Sequence, residues 1–232
     1  MIGLVITTAP RARPTLRPSM ESMRAAGFEQ LVLVVSDGVL EAGLPGPVQL
    51  EVNDPPRGGL RNWLHALRRA VAVFPDPWIG VLEDDVLWAA GAAAALRSEL
   101  NVRRPMPDLG YLSLYLSRKV SRPIERSAGR RLAPGWHESK LGQACWGSQG
   151  YVFPRGLAVQ LAQSLEFERV VLGHVKNRNR DGIVSGFLAR KGLRLLYRVP
   201  SLLSHELGQA NSSLADKPVQ QSLLCDYWTG VA

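Results

Sequence analysis

The chain has 232 residues, 46% of them hydrophobic and 21% charged, the composition of a globular protein large enough to hold a core without disulfides or a structural metal. No stretch reaches the roughly 18 consecutive apolar residues of a membrane span, and the two cysteines, Cys145 and Cys225, lack the CxxC spacing of a zinc site or the numbers of a disulfide framework. Lysine and arginine outnumber aspartate and glutamate by 28 to 20, for a net charge of +8, so the expected partners are anions: nucleotides, nucleic acid or acidic lipid.

The start, MIGLVITTAPRARP, enters a strand pattern with no basic segment ahead of it, which predicts no secretory leader and a cytoplasmic location. Residues 2–8 form a β-branched, apolar strand broken by Pro10 and Pro14. Leu16, Met20, Met23 and Ala26 recur at helical spacing over 15–26, and Gly27 stops the helix. LVLVVSDG (31–38) is a buried strand ending in a turn, and the Pro- and Gly-rich stretch 39–59 is a loop. From 60 to 74, Leu60, Trp63, Leu64, Leu67, Val71 and Phe74 make an amphipathic helix, which PDP at 75–77 ends. WIGVL (78–82) is the third buried strand. An Ala-rich helix over 89–100 and a strand YLSLY (111–115) follow.

Residues 117–143 show no sustained period and are read as one long loop, a length that in compact folds is functional or disordered. GYVF (150–153) is a strand, 155–166 a helix, and 181–191 a helix with Ile183, Val184, Phe187 and Leu188 on one face. LRLLYRVP (193–200) is the last strand, with an irregular tail from Ser201. Alternating strands and helices predict an α/β layered fold. With no repeat and no linker, one domain is expected over 1–232.

The feature that asks for chemistry is Glu83-Asp84-Asp85, at the carboxyl end of the third strand. Two like charges about 4 Å apart repel by roughly 4 kcal/mol at an effective dielectric near 20. Alternation along a strand turns Glu83 and Asp85 to one side and Asp84 to the other. Such a cluster calls for a counter-cation, and a divalent metal that prefers oxygen is the natural one; the ordinary alternative is that the acids cap the following helix and face water. Open α/β sheets also bind ligands at the carboxyl ends of their strands.

Other segments join the triplet in order: ITTAPR (6–11) with TLRPSMESMRAAGF (15–28), SDG (36–38), GGLRNWLHAL (58–67), WIGVLEDDVLW (78–88) and HELGQANSS (205–213). This series resembles the GT-A glycosyltransferases, with the triplet in the place of their DxD motif, in the manner of family 2. The resemblance covers the chain from residue 2 to about 213 and rests on order and spacing. It implies a Rossmann-like mixed central sheet flanked by helices. Residues 1–115 would be the nucleotide-sugar half, and 116–232 the acceptor half with a C-terminal loop over metal and diphosphate.

By that resemblance Asp85 would bind Mn²⁺ or Mg²⁺ directly, while Glu83 or Asp84 would reach the ribose or a metal-bound water. Glu83 departs from the usual first Asp, which leaves its role open. His205 would be a further ligand, suiting Mn²⁺ over Mg²⁺. Asp37 would hold the base, uracil being the commonest, so a UDP-sugar is the expected donor. Thr7, Thr8 and Arg11 would line the nucleotide cleft, Arg57 and Asn62 would reach ribose or pyrophosphate, and Ser212 and Ser213 would bind the diphosphate. Some of these have ordinary readings too: Asp-Gly is a common turn pair, and Asn62 stands where a helix starts.

An inverting transferase needs a general base at the acceptor hydroxyl. Asp181, in NRDGIVSGF, matches the place of that base, although Asp is also a favoured helix cap. Trp136, Trp146 and Tyr151 would form a stacking wall for the acceptor, although aromatics in such a place are more often core. The basic runs 118–131 (RKVSRPIERSAGRR) and 176–180 (KNRNR) lie on the same half and suggest a polyanionic acceptor, either nucleic acid carrying a hydroxylated base or an anionic cell-surface or lipid-linked glycan. Two other classes stay open here. A nucleotidyltransferase would carry a Gly-rich basic loop after its first strand, which ITTAPRARP lacks. A basic nucleic-acid-binding module would be indifferent to the acid triplet.

Overall fold

A computed structural model describes residues 1–10, 14–38, 43–103, 106–116, 121–122, 125–126, 129–139, 149–171 and 180–205. Ten strands are described: β1 (Ile2–Thr8), β2 (Val32–Ser36), β3 (Val48–Val52), β4 (Trp78–Glu83), β5 (Leu87–Trp88), β6 (Leu109–Ser113), β7 (Gly135–Ser139), β8 (Gly150–Pro154), β9 (Arg194–Val199) and β10 (Leu203–Ser204). The described helices are α1 (Leu16–Ala25), α2 (Gly59–Val73), α3 (Ala92–Val102), α4 (Arg155–Ala162), α5 (Leu165–Val171) and α6 (Arg180–Arg190). Eight strands form one mixed sheet in the order β3-β2-β1-β4-β8-β6-β9-β7. Strands β3, β2, β1 and β4 run parallel, and β8 is antiparallel to both β4 and β6.

The central strands are apolar throughout because helices cover both faces of the sheet. On one face, alternate residues Leu4, Ile6, Val32, Val34 and Leu82 pack against Met20 and Met23 of α1 and Ala93, Leu96 and Leu100 of α3. On the other, Val5, Leu33, Val35, Ile79 and Val81 meet Trp63, Leu64, Leu67 and Ala70 of α2, with Leu161 of α4 and Ile183, Val184 and Phe187 of α6. Each large apolar side chain so buried contributes roughly 1.5–3 kcal/mol, and the period-2 alternation lets one strand feed both layers. Among the described residues no helix is long and apolar enough to cross a membrane.

Five elements differ from the sequence reading, one of them the two-residue strand β5, which that reading did not contain. The stretch 39–59, read as loop, contains β3. Its VQLEV has Leu50 and Val52 half-exposed at the sheet edge, so it carries no buried-strand signature. Its place is set from outside: Arg24 of α1 donates to the carbonyls of Phe28 and Gln30 at 2.8 Å and of Pro45 and Pro47 at 3.2 and 3.0 Å, which folds the chain back beside β2. The long loop 117–143 likewise contains β7, a polar edge strand paired antiparallel with β9. The helix expected over 155–166 divides into α4 and α5. After β9 the chain forms one more short strand, β10, which pairs with β5.

Candidate functional site

Strand β4 ends on Glu83, beside Thr7 of β1 in the parallel register. The chain then bends through Asp84 and Asp85 into β5. Because Leu203 pairs with Trp88 and Ser204 with Leu87, the next residue, His205, arrives beside the acid turn. Its Nε2 lies 3.1 Å from Asp85 Oδ2. One donor atom each from Glu83, Asp85 and His205 falls within 4.8 Å of the other two. Two carboxylates and an imidazole make a hard-to-borderline donor set that fits a divalent cation such as Mn²⁺ or Mg²⁺.

Asp84 takes the opposite side, as strand alternation predicts. It is buried, and its Oδ2 accepts hydrogen bonds from Thr8 Oγ1 at 2.6 Å and Thr15 Oγ1 at 3.2 Å. Of the two acids given a ribose or metal-water role, Asp84 therefore faces α1 and fixes the turn, and Glu83 faces the donor cluster. Thr8 spends its hydroxyl on Asp84, and Thr7 donates to the carbonyl of Leu82 at 3.1 Å. Both sit at the carboxyl end of β1 with their hydroxyls directed into the protein rather than the cleft.

Asp37 lies at the end of β2 and organises the start of α2. Its Oδ1 accepts from the backbone N–H of Arg57 at 2.7 Å and from Asn53 Nδ2 at 3.1 Å, and its Oδ2 accepts from the N–H of Gly58 at 2.5 Å. Gly58 has φ +82, which a side chain would strain. A carboxylate offers about four acceptor positions, and these bonds fill three of them on Asp37. Asn62, like Thr7 and Thr8, makes its hydrogen bonds inside the protein. Its amide N–H groups go to the carbonyls of Thr8 and Val35 at 3.0 and 3.3 Å, and its carbonyl accepts from Asn53 at 2.8 Å. These bonds join the ends of β1 and β2. Arg57 is exposed, its Nε donating to Asn53 Oδ1 at 2.8 Å.

Arg180 and Asp181 open α6. The carboxylate of Asp181 accepts a hydrogen bond from Tyr151 Oη. Tyr151 is fully buried, edge-on to Tyr111 at 4.9 Å and to Trp63 at 6.1 Å, so it is core and not part of an acceptor-stacking wall. Trp136 of β7 packs half-buried against the core on the α1 face. Arg180, read from the sequence only as the end of a basic run, turns inward. An Nη of Arg180 donates to Glu83 Oε1, and the guanidinium lies 5.9 Å from the Trp63 ring centre. Burial lowers its pKa to about 10, with the Asp181 carboxylate working against that shift. It is charged at neutral pH. The one signal for it in the sequence was its place directly before an Asp at a helix start.

Arg11, Ser212, Ser213, Trp146 and residues 176–179 lie outside the described residues. Of the basic run 118–131, Arg122, Arg126, Arg130 and Arg131 line a hollow of about 470 Å³ with Glu125. The Glu125 carboxylate accepts from the N–H of Leu132 at 3.2 Å.

The mixed sheet with helices on both faces, and an acid turn at the carboxyl end of its fourth strand, is a GT-A-like glycosyltransferase fold. The structure is similar to that of the mannosyltransferase PcManGT from Pyrobaculum calidifontis, solved in complex with GDP-Man and Mn²⁺, with a TM-score of 0.52 and 14% identity over 83% of this chain and 53% of that one. Weaker likenesses are to the glycosyltransferase GlyE of Streptococcus pneumoniae TIGR4 (TM-score 0.49, 6% identity, 84% of this chain and 45% of that one) and to mouse xyloside xylosyltransferase 1 in its apo form (0.47, 11%, 85% and 84%). The chain spans about half the length of the first two. No family model matches it, and no curated protein is similar to it in sequence.

Proposed function

We propose that the chain is a metal-dependent glycosyltransferase that moves a sugar from a nucleoside-diphosphate sugar to a hydroxyl acceptor. The observation that carries this reading is the meeting of Glu83, Asp85 and His205 at the carboxyl end of a GT-A-like sheet. Asp85 and His205 would hold the cation, for which Mn²⁺ suits the mixed oxygen and nitrogen set. Once bound, the ion supplies positive charge to the leaving diphosphate. Asp37 and the turn at Arg57 and Gly58 would receive the nucleoside.

In the inverting form, Asp181 accepts the proton of the acceptor hydroxyl. The hydroxyl oxygen forms a bond to the anomeric carbon, the bond from that carbon to the phosphate oxygen breaks, and the nucleoside diphosphate leaves with the electron pair. Tyr151 orients the Asp181 carboxylate for this role. The 116–232 half would receive the acceptor. The arginine-lined hollow favours an anionic acceptor, because clustered guanidinium groups bind phosphate without regard to sequence.

Thermal unfolding with uridine- and guanosine-diphosphate sugars, each with and without Mn²⁺, tests the reading. The panel carries both bases because the sequence resemblance implies UDP, whereas the mannosyltransferase structure holds GDP-Man. A donor at 100 times its Kd adds about 2.7 kcal/mol of stability. If no nucleoside-diphosphate sugar stabilises the protein in a Mn²⁺-dependent way, the proposal fails.

A further inference from the structure

Glu83 belongs to two constellations at once. Its carboxylate is within reach of the donor atoms of Asp85 and His205, and it already accepts a charge-assisted hydrogen bond from Arg180. Both side chains of that pair are largely buried, 19% and 17% exposed. Arg180 has little room to retreat. Its guanidinium lies against Trp63, which is fully buried and stacked on Phe167 at 5.4 Å. Its Nε finds no hydrogen-bond acceptor among the described residues. Drawing Glu83 onto a cation would take away the carboxylate that this buried guanidinium bonds and leave it only the nearby charge of Asp181, a costly change for a charge inside a protein.

We propose that Arg180 is a positioning residue that withholds Glu83 from the cation, so that Asp85 and His205 bind the ion while Glu83 anchors the helix that carries Asp181. The inference rests on the metal reading above and deepens it in two ways: it assigns Glu83, and it makes the first turn of α6 a part of the donor site. The guanidinium is a permanent planar donor, so the pair holds Asp181 at a fixed offset from the acid turn. Asp85 and His205 would then be the strong protein ligands of the cation, and diphosphate oxygens would complete its binding. Substrate-assisted sites of this kind suit ions that retain several non-protein ligands.

The test is a titration of the full chain with Mn²⁺ alone, reading free Mn²⁺ by its electron paramagnetic resonance signal, for wild type, Glu83→Gln, Arg180→Gln and the double variant. Arg180→Gln is expected to tighten Mn²⁺ binding roughly tenfold, because a third ligand, the second carboxylate, is released to the ion. The double variant returns to within about threefold of wild type, and Glu83→Gln alone costs no more than about threefold while Arg180 is present, the signature of two coupled residues. A merely structural ion pair would lower the melting temperature and leave Mn²⁺ affinity where it was. Unchanged or weaker binding in Arg180→Gln overturns the inference, as does a gain that survives in the double variant, which would be through-space charge. Should Arg180→Gln not fold, Glu83→Gln decides: a tenfold loss shows that Glu83 is already a ligand. Wild-type protein that binds no Mn²⁺ into the millimolar range overturns the metal reading itself. Wild-type binding that Arg180→Gln leaves unmoved overturns this inference alone.

Discussion

The hydroxyl of Tyr151 donates a hydrogen bond to the carboxylate of Asp181, fastening β8 to the first turn of α6 from within the core. Tyr151 is itself held by Tyr111 and Phe153, so the direction of the Asp181 carboxylate is set by a part of the protein that does not move easily. Asp181→Asn should lower the transfer rate by at least about 10²-fold, the usual worth of a general base, while leaving the Mn²⁺-dependent stabilisation by donor intact. Tyr151→Phe should reduce kcat by a smaller factor, on the order of tenfold, with little change in donor KM, since it loosens the base without removing it. Steady-state kinetics beside thermal unfolding check both, and full turnover in Asp181→Asn would reduce that residue to a cap.

Removal of divalent cations, or of the two residues proposed to hold one, should have one shared consequence. Chelation by EDTA, Asp85→Asn and His205→Ala should each abolish the Mn²⁺-dependent part of nucleotide stabilisation. They should leave the melting temperature of the nucleotide-free protein within a few degrees of wild type, because His205 joins the site from a two-residue strand at its rim. Nucleotide binding that persists unchanged in His205→Ala would remove that residue from the ligand set.

Gly150 shows how the fold holds His205 in place. A Cβ there would stand 2.5 Å from Leu203 Cδ1, 3.2 Å from Leu114 Cβ and 3.3 Å from Leu82 Cδ2, and Leu203 belongs to the strand that delivers His205. Gly150→Ala should therefore cost about 1–3 kcal/mol of stability through overpacking, and should weaken Mn²⁺ binding as β10 is pushed outward. Urea unfolding and the Mn²⁺ titration measure the two effects. A variant that loses stability and keeps Mn²⁺ affinity would show that β10 can shift without moving His205.

The edge strand β3 is tied to α2 by Arg69 and Glu51, whose contacts run from 2.5 to 2.8 Å and engage both carboxylate oxygens. The Arg69 hydrogen bonds hold the Glu51 carboxyl below its ordinary pKa, against the opposing effect of burial. A depressed folded-state pKa means that the pair stabilises above the unfolded-state value and is lost as pH falls through the folded one. Arg69 is 39% exposed, so solvent screening limits the gain to about 0.5 kcal/mol. Glu51→Gln should be destabilising by about that amount at pH 7 and by less near pH 4, as read from urea midpoints. Equal effects at both pH values would mean that the pair contributes through shape alone.

Most of the layered core was legible along the chain, because buried parallel strands and amphipathic helices leave a local periodicity. The stretches IGLVITT, LVLVVS and WIGVL could hardly be anything but central strands, and the stripe from Leu60 to Phe74 gave α2 within a residue at each end. What escaped was the periphery: VQLEV and GWHES bury little of their own, and they become strands only because β2 and β9 present unpaired edges to them. The acid triplet and the late histidine were also visible as chemistry. Their meeting was inferred from a family's order of motifs, whereas the β5–β10 pairing is what brings it about.

By itself, then, the sequence determined which segments are buried and on which side of β4 each acid must point, since both follow from alternation over a few residues. Only the tertiary structure decided who meets whom at the end of the sheet. Asn62 is spent on backbone carbonyls, Tyr151 belongs to the core and bonds Asp181, and Arg180 leaves its basic run to pair with Glu83. Those outcomes depend on residues far apart in the chain arriving at one place, and no local pattern of charge or hydrophobicity encodes the partner that a buried polar group will find.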